Sequence, residues 1–240
     1  MRKDLYIIFL LLLSLNTYSF INIENLRKNS KQGFNTSGKL LFNQQTGNTD
    51  KILYSASTFN SYKKNGNELI LIGTLRYGES FDRKDTEDGS LHLRYTYDLT
   101  KKHHIESYTQ YQYNDFKALN SRKLIGLGYR LTSEYLNAGI GAFNERERLK
   151  TTSDENATRG NIYLSSSLKS DTGFNFATII YYQPALNDTG DKRLILDTGI
   201  SQEITKRLSM IIEYHVIYDE NPPPRIQTTD TSLMFGFTLK

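Results

Sequence analysis

The side chains best suited to chemistry are four histidines and the hydroxyls and carboxylates around them. Ser209, Glu213 and His215 occupy alternate positions of one segment and are the residue types a serine hydrolase uses as nucleophile, carboxylate and base. In an extended strand Ser209 and His215 would lie roughly 20 Å apart at ~3.3 Å per residue, too far for the imidazole to take the hydroxyl proton. His103 and His104 are neighbours, so on a strand they face opposite sides and cannot hold one ion together. No cysteine is present, which excludes thiol catalysis, thiolate metal sites and disulfides. Gly126, Gly128, Gly139 and Gly141 lie inside alternating segments and not at a strand-to-helix turn. They read as room for large neighbours across the interior, not as a phosphate cradle. The chain is therefore read as no enzyme, with no cofactor and no metal.

The elements that carry these residues are strands. From about residue 34 onward apolar residues recur at every second position, the period of a two-faced strand. Leu91, Leu93, Tyr95, Tyr97 and Leu99 alternate with His92, Arg94, Thr96 and Asp98. Leu233, Phe235, Phe237 and Leu239 alternate with Ser232, Met234, Gly236 and Thr238. Twelve such segments begin near Phe34, Lys51, Glu68, Ser90, His103, Arg122, Tyr135, Thr158, Gly173, Lys192, Arg207 and Thr228. Short connections rich in Gly, Asn, Asp, Ser or Lys (63–67, 100–102, 132–134, 170–173 and 204–207) alternate with connections expected to be mostly longer, at 78–89, 145–159, 184–192 and 219–228.

An even number of two-faced strands with short turns on one side and long loops on the other predicts an all-β fold, a single antiparallel up-and-down transmembrane β-barrel of about twelve strands. Tyr54, Tyr62, Tyr77, Tyr97, Tyr113, Tyr129, Tyr182 and Tyr218 fall near strand ends, where an interfacial girdle would lie. A negative mean hydropathy excludes a bundle of membrane helices, and the formal net charge of +4 is too small and scattered for a nucleic-acid footprint. Arg2 and Lys3 followed by the apolar run Leu5 to Leu15 read as a signal peptide over 1–19, with the barrel domain over 20–240 and no lipid-attachment cysteine. The alternative is a soluble exported ligand-binding barrel, whose apolar face would point inward.

With the apolar face outward, the lumen would be lined by Lys39, Arg76, His92, Arg94, Asp98, Glu106, Gln110, Gln112, Arg130, Asp197, Glu213 and His215. Opposing charges on neighbouring strands would then partly fill it, leaving at most a narrow water path.

The stretch from Tyr108 to Arg130, with Asn114, Phe116, Leu119, Arg122, Gly126 and Gly128, followed by Gly139 and Gly141 in AGIGAFNERE, resembles the salt-induced outer membrane proteins, the domain of unknown function 481 family. Gly47 to Asp50 matches that family's first hairpin, and the likeness runs from about Phe34 to the carboxy terminus. The resemblance implies an outer-membrane barrel of no known activity. Many such barrels end in an aromatic residue, whereas this chain ends Phe237, Thr238, Leu239, Lys240. The expected role is a structural barrel, a passive small-solute pore or an envelope-stress component, with an outer-membrane lipid hydrolase as the enzymatic alternative. The expected partners are outer-membrane lipid, the barrel-assembly machinery during insertion, and small solutes, in a Gram-negative cell with both termini periplasmic.

Overall fold

The structure, a computed structural model, describes residues 32–239 apart from 49, 151–153, 189 and 206–207, and leaves aside the side chains of 39, 234 and 237–239. The signal segment expected over 1–19 lies outside the described residues. Twelve strands follow one another: β1 (Gly33–Gln45), β2 (Lys51–Lys64), β3 (Asn67–Ser80), β4 (Arg83–Asp98), β5 (His103–Asn114), β6 (Leu119–Thr132), β7 (Leu136–Leu149), β8 (Glu155–Lys169), β9 (Phe174–Pro184), β10 (Lys192–Glu203), β11 (Leu208–Asp219) and β12 (Thr229–Leu239). Each pairs antiparallel with the next, giving one up-and-down sheet in chain order. Among the described residues β1 and β12 are its edges, and no ladder joins them. The sheet nevertheless curls far round on itself. Asn161 of β8 donates to the Tyr108 hydroxyl of β5 at 3.3 Å, and Lys117 in the β5–β6 turn pairs with Asp230 of β12.

The two faces settle which way the sheet is turned. Outward residues are apolar and open: Leu40, Ile125, Leu127 and Leu233 are 84%, 68%, 65% and 70% exposed. Inward residues include Glu68, Asp88, Arg94, Glu106, Arg130, Glu145, Arg159 and Arg193, all buried. A soluble barrel has the reverse arrangement, so this is a barrel built for an apolar surround. Outward aromatic residues of β1 to β4 sort into two belts by register, whereas Tyr113, expected in the girdle, lines the interior cavity opposite Gly89. Phe42, Tyr54 and Tyr77 lie side by side across β1, β2 and β3 towards one rim, and Tyr62, Leu69 and Tyr95 lie side by side across β2, β3 and β4 towards the other. Leu69 and Tyr77 are separated by ~26 Å of strand at ~3.3 Å per residue. Tilted, that gives about 20 Å of height, close to the apolar band of such barrels.

Two connections differ from the sequence expectation. The stretch 78–89, expected as a long loop, is a tight hairpin: β3 runs to Ser80, β4 starts at Arg83, and Phe81 and Asp82 make the turn with φ of 49° and 58°. That geometry normally draws Asn-Gly, as at Asn65 and Gly66, so Phe-Asp gave no turn signal. The stretch 145–159 is mostly strand as well, with β7 extending to Leu149 and β8 beginning at Glu155. Its alternating charges continue the ladder because one face of the alternation has ionic partners inside.

The lumen is packed with more than polar groups. Phe59, Ile70 and Ile72 form one apolar cluster inside β2 and β3, and Tyr163, Ile179 and Tyr181 form another inside β8 and β9. The glycines of β6 and β7 make room for this filling, although the large neighbours come from the adjacent strand and not from across the interior. Tyr108 lies over Gly126, its opposite residue, and Tyr163 lies over Gly139. A Cβ at Gly139 would sit 2.0 Å from the Tyr163 ring.

At the loop side, Asp115 holds β4 and the end of β7 together through Lys84 Nζ at 2.6 Å and Lys150 Nζ at 2.8 Å. The hydrogen bond from Lys150, then that from Lys84, lowers its carboxyl from 3.8 to about 2. Because the folded-state value is depressed, the contribution is fully present above pH 3.8 and is lost as pH falls through about 2. Carbon-13 titration of the Asp115 carboxyl in the refolded protein should therefore give a midpoint near 2, and a midpoint at 3.8 would mean that the clasp does not form in solution.

Gly141 offers a test of the close approach between β6 and β7. A Cβ there would meet Leu127 O at 2.3 Å and Gly128 Cα at 2.7 Å, both backbone atoms that cannot swing aside. Gly141→Ala should lower stability by about 1–3 kcal/mol in urea unfolding of the refolded barrel. Gly128→Ala, whose nearest contact is 3.3 Å, should cost less, and equal losses would contradict the packing.

Candidate lumen site

The interior charges form two networks. The first centres on Glu106 of β5, 2% exposed. Arg94 Nη1 donates to its Oε2 at 3.2 Å, the Tyr163 hydroxyl donates to the same oxygen at 3.1 Å, and Arg130 Nη1 lies 3.9 Å from Oε1. The Arg94 guanidinium also sits 5.2 Å from the centre of the Tyr108 ring, so its flat face rests on an aromatic while its edge bonds the carboxylate. Next to it, His92 Nδ1 is 2.9 Å from Gln110 Oε1, and Gln110 Nε2 donates to Gln112 Oε1 at 2.6 Å.

The second network centres on Arg193 of β10 and Glu145 of β7, three strands apart. Arg193 Nη1 donates to both Glu145 oxygens at 2.9 Å, Nη2 to Glu147 Oε1 at 2.9 Å, and Nε to Asp219 Oδ2 at 2.7 Å. Arg159 Nε donates to Glu145 Oε1 at 2.6 Å, and its two terminal nitrogens bind Asp191 at 3.0 and 2.6 Å. Arg122 of β6 completes the ring, with Nε 3.1 Å from Glu145 Oε2 and a further bond to Glu147.

A cavity of about 230 Å³ lies beside this second network towards the long-connection rim. Its charged lining carries both signs: Arg94, Lys117, Arg122 and Arg193 share it with Asp88, Glu145, Glu147, Asp219 and Asp230. Amides Gln110, Gln112, Asn114 and Gln183 share the wall, and Pro222 and Pro223 of the β11–β12 connection close part of the mouth. A second cavity of about 210 Å³ lies on the β8 and β9 side, lined by Glu155, Arg159, Asp188 and Asp191. Glu145 and Glu147 belong to both walls.

Of the residues expected to line the lumen, Arg94, Glu106 and Arg130 meet in one network, and His92, Gln110 and Gln112 form the adjoining chain. Arg76 instead grips Asp88 with two bonds, at 3.0 and 2.7 Å. Asp98 receives His104 Nδ1 at 2.6 Å, and His103 contacts Tyr129 on the opposite face. Asp197 and His215 stand opposite each other with Oδ2 and Nδ1 3.6 Å apart. Glu213 is exposed, opposite Gly199. Lys39 pairs in register with Ser57, and its side chain is outside the described residues. Ser209 pairs with Glu203 and Thr238, away from His215. Among the described residues no three His, Asp or Glu side chains converge on a metal position.

Sequence reasoning missed Glu145, Glu147 and Arg159, having placed them in a loop, and it missed Arg193 and Asp219 at strand termini. The signal was available in Glu145-Arg146-Glu147-Arg148, whose strict alternation is a strand period: the two glutamates are buried, and the two arginines are exposed and share Asp154.

A curled antiparallel sheet with lipid-type outer belts and an ion-paired interior defines a membrane β-barrel fold. The chain belongs to the family described as "Protein of unknown function, DUF481", whose model matches residues 40–240. Among solved structures it is similar in fold to the NanC porin, at 14% identity and a TM-score of 0.50 over 86% of this chain and 98% of that one. The beta domain of the Bordetella autotransporter BrkA aligns over 86% of this chain and 97% of its own length, at 10% identity and a TM-score of 0.36. No curated protein matches the chain.

Glu106 lies against two buried arginines, and removing its charge takes a carboxylate partner from both. Glu106→Gln should destabilise the barrel by about 3–5 kcal/mol, read as a lower temperature for conversion from the folded to the unfolded band on a detergent gel. An unchanged conversion temperature would show that the pairing carries no weight.

Proposed function

We propose that this protein is exported to a Gram-negative-type outer membrane and acts there as a narrow passive pore for small polar solutes, with the long connections outside and both termini periplasmic. The observation that carries this reading is the interior itself. Arginines and carboxylates are taken out of water at a cost that apolar filling would avoid, and a barrel needed only as a wall is as stable or more so with an apolar plug. A cavity walled by charges of both signs and by amides instead suits solutes that are polar but carry little net charge. Export rests on the apolar segment after Arg2 and Lys3, and insertion would use the barrel-assembly machinery.

The hydrolase alternative has one constellation to consider, the row Asp197, His215 and Ser232 across β10, β11 and β12. The imidazole and carboxylate are 3.6 Å apart, longer than a hydrogen bond. We therefore assign no catalysis to it.

Protein purified from the outer-membrane fraction, refolded and added to a planar bilayer should give small, discrete conductance steps and release small neutral sugars from liposomes. Silence in both assays, from protein shown to be folded by its gel mobility, would overturn the pore reading in favour of a sealed structural barrel.

A further inference from the structure

Arg193 extends from β10 to β7 and occupies Glu145 and Glu147, the two residues that belong to both cavity walls. The guanidinium lines the cavity of about 230 Å³, and in the cavity of about 210 Å³ the two glutamates it binds form part of the wall. Its Nε is simultaneously held by Asp219 of β11, so the side chain is fixed at both its base and its tip. Arg76, Arg94, Arg122 and Arg159 reach carboxylates on adjacent strands or a neighbouring connection.

The same residue controls the charge that a solute would meet. Arg193 neutralises part of the negative charge of Glu145, Glu147 and Asp219, and its removal leaves Arg122 and Arg159 to face Glu145, Glu147, Asp191 and Asp219. Rings of uncompensated carboxylates select cations. We propose that Arg193 is the specificity-determining residue of this lumen, suppressing selection for cations. The proposal rests on the pore reading above and adds to it the residue that sets charge preference.

Single-channel recording of the full-length protein tests this with Arg193→Gln. The expected result is a reversal potential shifted towards cation selectivity in a potassium chloride gradient. Arg193→Lys keeps the charge but loses the planar fork, and it should shift selectivity less. Should Arg193→Gln not refold, Glu147→Gln, which keeps the arginine and removes one of its carboxylates, should shift the reversal potential the opposite way. Selectivity equal to wild type in the folded variants would overturn the role of Arg193 and leave the pore reading standing. Silence of the folded wild type would overturn both.

Discussion

A strand that faces hydrocarbon has no water to bond its N–H and C=O groups, so each must find a partner in the next strand. That constraint organises the rest of the molecule. It requires long, regular ladders in chain order, as β1 to β12 form, and these fix the side-chain period at two along every strand. Once one set of alternate residues must be apolar to face lipid, the other set is driven into a confined interior whatever its chemistry. The ladder therefore decides that charged residues such as Glu106, Arg130, Glu145 and Arg193 are buried, and burial decides that they must pair.

Pairing on adjacent strands is the simplest solution, because directly opposite residues are within reach of each other. Arg76 with Asp88 follows it. The lumen is not filled by such local pairs alone. Glu106 draws on β4, β6 and β8, and Glu145 draws on β6, β8 and β10, so each carboxylate ties together strands that share no backbone hydrogen bond. These ties resist flattening of the sheet in a way the ladder cannot, since a ladder constrains only neighbours. The glycines of β6 and β7 serve the same end by letting Tyr108 and Tyr163 lie flat beside Glu106's partners and bring their hydroxyls to Asn161 and Glu106.

This division of labour explains what could be read from the sequence. Strand number, order and facing follow from a local period of two, so the starts at Lys51, His103 and Lys192 coincide with the structure. The tight turn at Asn65 and Gly66 was legible from residue type, and the turn at Phe81 and Asp82 was not, because neither residue advertises a positive φ. Individual charges on the inner face were legible for the same reason as the strands. Their cross-lumen partners were not, because the contact between Arg193 and Glu145 depends on how far the sheet curls, and periodicity carries no information on curl. The long connection expected over 145–159 also set aside Glu145, Glu147 and Arg159, which belong to the second network.

The choice of cation follows from the same confinement. Among the described residues every buried cation is arginine, at Arg94, Arg130, Arg159 and Arg193, while Lys51, Lys84, Lys117, Lys150 and Lys192 pair at the rim. A lysine ammonium is a compact, strongly hydrated charge that gives up water at high cost and can be neutralised by losing its proton. A guanidinium is more weakly hydrated, stays charged, and offers five donors in one plane. Arg193 uses that plane to bond three carboxylates on two other strands, which one ammonium could not do in that geometry. At the rim, where water completes the coordination, a point charge is sufficient and lysine appears. The passage from lysine at the mouth to arginine in the interior thus marks the depth at which solvent stops supplying hydrogen bonds and the protein must supply them itself.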